Sequence, residues 1–213
     1  MSHLKRIAMP KSWPISRSGT KYITKVRPGR KDEFSIPALI VLRDMLNVAD
    51  TKNEIRKIIS MKEIIVNGRT ISDYKSALGL FDVITLNSMG KNYKIIFRNR
   101  KMDVEETKET DKKICKIIGK KILSGKKQQI NLFDGRNIIS NEKVKVNDSV
   151  VLSLKDKKIT KILPLKEKAD VYIIGGKHIG EKGTIEKIET NQAIIKIGKN
   201  DVNIKLGNIF VIE

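Results

Sequence analysis

The sequence predicts an α+β chain that is mostly β, with a basic N-terminal arm, a small α+β domain, a central antiparallel β domain and a small C-terminal β-barrel. The first 31 residues hold nine Lys or Arg, three Pro and no acidic residue, too little apolar surface for a core of their own. Apolar residues then recur at spacings of three and four between residues 37 and 59. After residue 113, short β-prone runs alternate with Gly, Asn and Asp. The expected boundaries are 1–34 for the arm, 35–102 for the α+β domain, 103–168 for the central domain and 169–213 for the barrel.

The charge of the chain indicates the kind of partner. It has 44 Lys plus Arg against 24 Asp plus Glu, a net charge of +20, and such self-repulsion opposes compaction unless a polyanion neutralises it. There is no apolar run of about 18 residues to span a membrane and no long basic amphipathic helix to lie on one. We therefore expect a nucleic acid partner and no membrane. The N-terminus lacks the apolar core of a secretory signal, so we expect the chain in the cytosol.

The sequence offers no cofactor or metal site. A lone cysteine, Cys115, can form neither an internal disulfide nor a Cys-rich zinc site, and we interpret it as a small buried apolar residue. His3 and His178 are too few and too far apart in sequence to suggest metal ligands.

The arm has two interpretations. It is either a solvated, disordered tail or a segment that enters folded RNA, with cations on phosphates and the rings of Trp13 and Tyr22 stacked on bases. The total charge favours RNA. The candidate RNA-binding residues of the arm are Lys5, Arg6, Lys11, Trp13, Arg17, Lys21, Lys25, Arg27, Arg30 and Lys31.

Two helices and a small sheet follow the arm. Pro37 suits a first helical turn and the apolar spacing predicts a helix over 37–47. Thr51 and Glu54 predict a capping box at the start of a second helix. Asn67-Gly68 favours a two-residue hairpin turn. The predicted strands here are 63–66, 69–71 and 82–86.

Two helices followed by a sheet with Val66-Asn67-Gly68-Arg69 at its hairpin resemble the alpha-L RNA-binding domain. The resemblance implies a basic face for structured RNA, although the same charges alone would also fit a solvated helix face. One departure is Lys62, where many members of that group have glycine. The residues that the resemblance places on this face are Arg43, Lys52, Arg56, Lys57, Lys62 and Arg69.

The middle of the chain is predicted to be β-rich. Residues 103–113 mix charges with few apolar residues and are expected to form an exposed connection or a helix surface. Beyond them the pattern is typical of a small antiparallel barrel or sandwich. The β-prone runs are 114–118, 121–123, 128–133, 137–139, 150–154 and 158–162, with turns at Gly119, Ser124-Gly125, Asp134-Gly135 and Asn147-Asp148.

A glycine-rich basic turn, residues 175–184, lies between an apolar strand at 171–174 and a strand from Ile185. Glycine lets a backbone approach an anion closely, and exposed amides with nearby lysines suit phosphate. Alternatively, the glycines only close a tight hairpin. The segment resembles the KOW element of SH3-like barrels, whose further strands here are 192–197, 202–205 and 209–212. The candidate RNA-binding residues of the turn are Gly175, Gly176, Lys177, His178, Gly180 and Lys182.

The order of these features resembles a known family. The chain starts with His3-Leu4-Lys5-Arg6 and Trp13-Pro14-Ile15, continues with the alpha-L-like domain and a segment around Arg136 (residues 129–137), and ends with the KOW-like barrel. This combination is similar to the four-e family of small-subunit ribosomal proteins of archaea and eukaryotes. The resemblance implies a structural constituent of the cytoplasmic small subunit, bound to ribosomal RNA (rRNA) and neighbouring ribosomal proteins, with no catalytic activity. Arg30 departs from the family, where a histidine is expected after the glycine.

Two other functions fit parts of this sequence. The KOW-like barrel also fits a transient RNA-binding or elongation factor, but a long basic arm favours permanent burial in RNA, because strong electrostatic attraction slows release. An RNA-modifying enzyme would need a catalytic Asp in a pocket, whereas Asp134 and Asp148 occupy turn signatures. Of the 44 basic residues, 34 are lysine. Lysines act as point charges, so we expect recognition of backbone and shape more than of bases.

Overall fold

The computed structural model describes residues 3–123, 127–156, 158–198 and 200–213, and the predicted Ser124-Gly125 turn lies outside these ranges. The chain divides into two compact units. The first comprises the residues up to Phe97 together with Lys101–Asp111, and the second comprises Arg98–Arg100 and Lys112–Glu213. The four-part division expected from the sequence stays a prediction.

The first unit is built from short strands and two helical segments. The strands are β1 (Leu4–Lys5), β2 (Tyr22–Ile23), β3 (Ser35–Pro37), β4 (Ile64–Val66), β5 (Arg69–Thr70), β6 (Ala77–Gly79), β7 (Val83–Leu86), β8 (Lys91–Arg98) and β9 (Lys101–Glu106). Five of them form an antiparallel sheet of the order β5-β4-β7-β8-β9, and two small ladders pair β1 with β2 and β3 with β6. The helices are α1 (Ala38–Ile40), continued by a π-helical turn (Val41–Met45), and α2 (Lys52–Ser60), and single 3-10 turns lie at Arg6–Ala8 and Asp32–Phe34.

The second predicted helix and the hairpin are confirmed, whereas the first predicted helix is shorter than expected: it begins at Ala38 and ends at Met45, and Pro37 ends β3 instead of lying in the first helical turn. The predicted capping box opens α2, where the Glu54 amide donates to Thr51 Oγ1 at 3.3 Å and the Thr51 amide donates to Glu54 Oε2 at 3.3 Å. These bonds satisfy amides that the first helical turn leaves without a partner. At the hairpin, Asn67 has φ 50° and Gly68 has φ 72°, as a two-residue turn with left-handed backbone requires.

The expectation for residues 103–113 is wrong over their first part. Residues up to Glu106 belong to β9, and β10 begins at Lys112, so only residues 107–111 are irregular. The charged composition is explained by a strand with little buried surface, in which Met102 is the buried residue. Strands β3, β6 and β8 were not predicted, although Ile95 and Phe97 of β8 are buried in the alternating pattern of a strand.

The arm is folded against the first unit. Its apolar side chains Met9, Trp13 and Val26 are 3%, 1% and 5% exposed, and the Met102 amide donates to the Ser12 carbonyl at 2.7 Å. The arm has too few apolar side chains to form a core by itself, but it has enough to extend the core of the first unit. The disordered-tail alternative does not describe this structure.

The second unit contains two antiparallel five-stranded sheets and a 3-10 turn at Leu206–Asn208. The strands are β10 (Lys112–Ile122), β11 (Gln128–Leu132), β12 (Asn137–Ser140), β13 (Ser149–Ser153), β14 (Ile159–Leu163), β15 (Asp170–Ile173), β16 (Lys182–Ile188), β17 (Gln192–Ile197), β18 (Asn200–Lys205) and β19 (Ile209–Val211). The strand orders of the two sheets are β12-β11-β10-β13-β14 and β18-β17-β16-β15-β19.

The predicted runs 114–118 and 121–123 form one strand. Their pairing with β11 shifts register between Ile117 and Gly119, so Gly119 lies at a bulge, which glycine tolerates, and does not end the strand. Cys115 is 2% exposed within the apolar cluster of this sheet, as predicted. The five strands predicted for residues 171–213 are present in one sheet with β18 and β19 at its edges. A closed SH3-like barrel stays a prediction.

A buried lysine joins β10 to the C-terminal sheet. Lys116 is 2% exposed, and its ammonium group donates to the carbonyls of Leu206 and Ile209, the latter at 2.8 Å. Burial disfavours the charged form and lowers the pKa of Lys116 to about 8. The side chain therefore costs stability while it is protonated.

Candidate nucleic-acid interface

Helix α2 presents two cations on one side. Lys52 and Arg56 are four residues apart and exposed, while Ile55 and Ile59 on the same helix are buried. Both cations lie over the ring of Tyr74. Lys52 Nζ is 4.6 Å and Arg56 Cζ is 4.8 Å from the ring centroid, which are cation–π distances.

Positively charged groups lie near both the hydroxyl and the ring of Tyr74. Lys75 Nζ lies 5.6 Å from the same centroid. Burial alone raises the pKa of Tyr74, but the hydrogen bond and charge of Lys52, a hydrogen bond from Arg56 and the charge of Lys75 outweigh it, so the pKa lies below its usual value. The phenol of Tyr74 is thus held among three cations.

An open cleft of about 880 Å³ lies beside Tyr74 in the first unit. Its walls come from the arm at residues 3–4 and 22–28, from Lys52 at the start of α2, and from residues 73–75. Four of the lining side chains are cationic and one is a carboxylate, that of Asp73. The cleft therefore suits an anionic ligand.

Hydrogen bonds of Asn67 and Asp82 stabilise the hairpin that carries Arg69. The Asn67 amide group donates to Asp82 Oδ1 at 2.9 Å, and the Val83 amide donates to Asn67 Oδ1 at 3.0 Å. Asp82 is fully buried and also accepts from the Gly79 amide at 2.9 Å. This network fixes the hairpin and leaves Arg69 exposed on β5.

Two predicted RNA-binding residues of the arm are structural in this fold. Trp13 is buried, and its indole Nε1 donates to the Ser35 carbonyl at 2.8 Å, so its ring offers no face to a base and the stacking expectation is wrong for this residue. Arg30 forms an ion pair with buried Asp82, and its side chain is 15% exposed. An unpaired buried carboxylate is costly, which explains why this arginine points inward.

Other arm cations shape the arm itself. Arg6 Nη1 donates to the carbonyls of Ser16 and Ser18, both at 2.9 Å, and Arg17 Nη2 donates to the Met9 carbonyl at 3.0 Å. The remaining predicted cations of the arm are exposed. These are Lys5, Lys11, Lys21, Lys25, Arg27 and Lys31.

Two further predicted contacts on the first unit differ in their surroundings. Arg43 forms a bidentate ion pair with its neighbour Asp44, in which Nε donates to Oδ1 at 3.1 Å and Nη2 donates to Oδ2 at 2.9 Å. The charge of Arg43 is therefore partly neutralised. Lys62 is exposed and has φ 59°. This left-handed backbone explains why glycine is common at the position in alpha-L domains, because glycine adopts it without strain. Lys57, on α2, is exposed.

Arg136 belongs to a charge cluster in the second unit. Asp134 accepts from buried Lys113 at 2.8 Å and lies 3.4 Å from Arg136 Nε. Burial by itself raises the pKa of Asp134, but the charge and hydrogen bond of Lys113, together with Arg136, hold it below its usual value. Asp134 is thus an ionised structural group, and Arg136 keeps only part of its charge for a partner.

The glycines of the basic turn have separate roles. A Cβ at Gly175 would lie 2.6 Å from Asn208 Nδ2, so the close approach is to a protein side chain and not to a phosphate, which corrects the expected reason for this glycine. Gly176 and Gly180 have φ 94° and 92°, and the space beside Gly176 is open. They therefore serve the turn conformation.

The polar side chains of that turn face outward. Lys177 and Lys182 are exposed, and His178 Nδ1 lies 2.9 Å from Glu181 Oε2. Lys182 begins β16, so the strand starts three residues before the predicted Ile185. Lys177 and Lys182 are the cations that this segment offers to an anion.

Sequence reasoning missed Tyr74, Asp82 and Asn67 as organisers of the first unit. An aromatic residue next to Lys75 in a polar loop is a weak signal for Tyr74. Nothing local indicates that Asp82 is the partner of Arg30, since 52 residues separate them. Across the described ranges there is no group of three metal-ligating side chains, and no described helix is long and apolar enough to cross a membrane.

Comparison with known proteins gives consistent matches. The model of Ribosomal family S4e matches residues 89–159, and that of the RS4NT domain matches residues 2–29. Small ribosomal subunit protein eS4 of Archaeoglobus fulgidus is 40% identical over 185 residues, covering 86% of this chain and 79% of the relative. The protein of the same name from Methanocella arvoryzae is 34% identical over 219 residues, covering 99% and 94%.

A solved structure agrees with the sequence matches. The crystal structure of the 30S ribosomal protein S4e from Thermoplasma acidophilum has a TM-score of 0.73 at 28% identity, covering 84% of this chain and 94% of that one. The family expected from the order of the motifs is therefore confirmed. With relatives above 30% identity aligned along nearly its whole length, this chain is a member of the S4e family of ribosomal proteins.

Proposed function

We propose that this chain is a structural constituent of the small ribosomal subunit that binds and stabilises folded rRNA through its basic surfaces. The observation that carries the proposal is the cationic face of the first unit, where the arm and α2 display lysines and arginines with little opposing charge. Phosphate contacts by such residues position a protein on RNA and supply most of its affinity. Membership of the S4e family supports the ribosomal setting.

The exposed cations form the proposed contact set. They differ from the structural residues Trp13 and Arg30, which stabilise the fold that displays them. The set comprises Lys5, Lys11, Lys21, Lys25, Arg27, Lys31, Lys52, Arg56, Lys57, Lys62, Arg69, Lys177 and Lys182.

The second unit is proposed to carry a KOW-containing SH3-like barrel over residues 169–213. Its five antiparallel strands and the outward lysines of the basic turn support this. A small sheet of this kind offers a surface for RNA or for a neighbouring ribosomal protein.

A transient RNA-binding or elongation factor is the alternative, and sedimentation separates the two. Cell extract containing the full chain is centrifuged through sucrose at physiological salt and at high salt. A ribosomal constituent sediments with small subunits and is released only at high salt. A predominantly free pool at physiological salt would favour the factor and contradict the proposal.

A further inference from the structure

The cleft beside Tyr74 has the dimensions of a ligand site. Its volume of about 880 Å³ lies within the range of roughly 300–1,000 Å³ that small-molecule sites occupy. Its walls combine apolar side chains from the arm, such as Leu4, Ile23 and Val26, with the cations of α2 and of the loop at 73–75. A nucleotide is a ligand with this same combination of a flat apolar base and a charged phosphate.

An aromatic ring in this cleft is open to a base. Tyr22 is 48% exposed and lines the cleft from β2. The ring of His3 lies 5.2 Å away at a tilt of 46°, and Lys21 Nζ lies 5.4 Å from its centroid. Tyr22 as a whole residue remains about half exposed beside these two neighbours.

The phosphate-binding groups lie in the same cleft. Arg27 and Lys52 are exposed at its walls, and Lys25 and Lys75 line it as well. The carboxylate of Asp73 is 3.6 Å from Arg27 Nη1 and accepts from the Lys75 amide at 3.1 Å. The lining contains four cationic side chains and this one carboxylate, which favours an anionic ligand over a cationic one.

The chemistry separates a nucleotide from an acidic peptide. Carboxylate side chains would satisfy the cations but have no flat face for Tyr22, whereas every base has one. Tyr74, which lines the cleft beside Lys52, Arg56 and Lys75, has a hydroxyl that can donate to a base edge or a ribose oxygen.

We propose that this cleft binds one unpaired nucleotide of the RNA, with its base stacked on Tyr22 and its phosphate among Arg27, Lys52 and Lys75. The inference rests on the proposed rRNA-binding function and adds a defined site to it. The first unit then recognises a strand that has left the helical stack, in addition to the phosphates of paired RNA.

The test uses the full chain and a transcript of archaeal small-subunit rRNA. Affinity is measured at several salt concentrations for the wild type and for Tyr22→Leu, Tyr22→Phe and Lys52→Gln, and 2′-hydroxyl acylation reports which unpaired nucleotides are held. Tyr22→Leu should weaken binding roughly 10- to 100-fold, the range for loss of one stacked base, without changing the salt slope. Tyr22→Phe, which keeps the ring, should bind within about threefold of the wild type. Lys52→Gln should reduce the salt slope by about one.

The footprint identifies the ligand. One or two unpaired nucleotides protected by the wild type should become reactive again with Tyr22→Leu and stay protected with Tyr22→Phe. Thermal unfolding checks the fold, and Tyr22→Thr, another strand-forming residue, replaces the Leu variant if that variant is unfolded. Failure of the wild type to bind rRNA would contradict the proposed function itself. If the wild type binds rRNA normally and Tyr22→Leu has the same affinity and footprint, the nucleotide site alone is contradicted. The same holds if Tyr22→Leu is defective only in binding an acidic ribosomal protein.

Discussion

The indole Nε1 of Trp13 donates a hydrogen bond of 2.8 Å to the carbonyl of Ser35. Trp13 lies in the basic arm and Ser35 begins β3, so this bond ties the arm to the folded body of the first unit. The ring is 1% exposed, and a buried tryptophan contributes a large apolar area in addition to its hydrogen bond. The arm is therefore part of the fold that displays the cations.

Replacing Trp13 should destabilise the first unit. We expect Trp13→Ala to lower the free energy of unfolding by about 3–5 kcal/mol, because it leaves a cavity and removes the donor to a buried carbonyl. Urea unfolding followed by circular dichroism measures this. Lys11→Ala, an exposed arm substitution, is the control and should stay within about 0.5 kcal/mol of the wild type. Equal stability of the two variants would mean that the arm is not packed as described.

Removing residues 1–31 should have two effects. The composition of the arm alone predicts lower RNA affinity with the rest of the fold intact, but burial of Met9, Trp13 and Val26 predicts that the truncated first unit also unfolds more readily. Thermal unfolding and rRNA binding, measured on the same preparation, check this. An unchanged melting temperature would show that the arm does not contribute to the stability of the first unit.

The Arg30–Asp82 pair should be sensitive to loss of one partner. Arg30→Met leaves the buried carboxylate of Asp82 without its guanidinium, and breaking such a pair costs about 3–5 kcal/mol. The matched control is Arg69→Met, because Arg69 is exposed on β5. In urea unfolding the Arg30 variant should lose several kcal/mol and the Arg69 variant little, while rRNA affinity should fall for Arg69→Met. The reverse pattern would contradict the roles assigned to these two arginines.

Lys116 should give the second unit a specific pH dependence. Its pKa of about 8 in the folded chain lies below the ordinary value of 10.5, so between these values the unfolded chain holds a proton that the folded chain lacks. The free energy of unfolding therefore increases as the pH rises from about 8 towards 10.5, and the cost of burying the charge is fully present below pH 8. That cost is roughly 3 kcal/mol.

A comparison with Lys116→Met isolates this contribution. The variant should lack this part of the pH dependence, so the difference in stability between it and the wild type should change steadily between pH 8 and pH 10. Lys121→Met, at an exposed position of the same strand, controls for the general loss of positive charge. An equal pH dependence in all three proteins would show that Lys116 titrates normally.

The sequence was most informative where the determinants are local. The capping box of Thr51 and Glu54 and the Asn67-Gly68 turn depend on residues within four positions of each other, so they were predictable. The same holds for the apolar strands of the second unit. The only signal for the left-handed backbone of Lys62 was that similar domains have glycine at this position.

The candidate site depends on contacts distant in sequence. Trp13 meets Ser35, Arg30 meets Asp82, and Gly175 packs on Asn208. An exposed and a buried cation have the same letter in the sequence, so no pattern distinguished Arg30 from Arg27. Likewise, the cleft with Tyr22 and Tyr74 requires the fold that brings residues 3–4, 22–28 and 73–75 together.

The salt dependence of rRNA binding shows whether the exposed cations hold this chain on folded rRNA. If the exposed cations of this chain bind folded small-subunit rRNA through about six to ten phosphates, the affinity should fall by roughly three to five decades between 50 and 200 mM salt. The measurement is a filter-binding titration of the full chain on a small-subunit rRNA transcript, with a transcript of scrambled sequence alongside. We expect this steep slope and tighter binding to the folded rRNA. A shallow slope, or equal affinity for both transcripts, would contradict it.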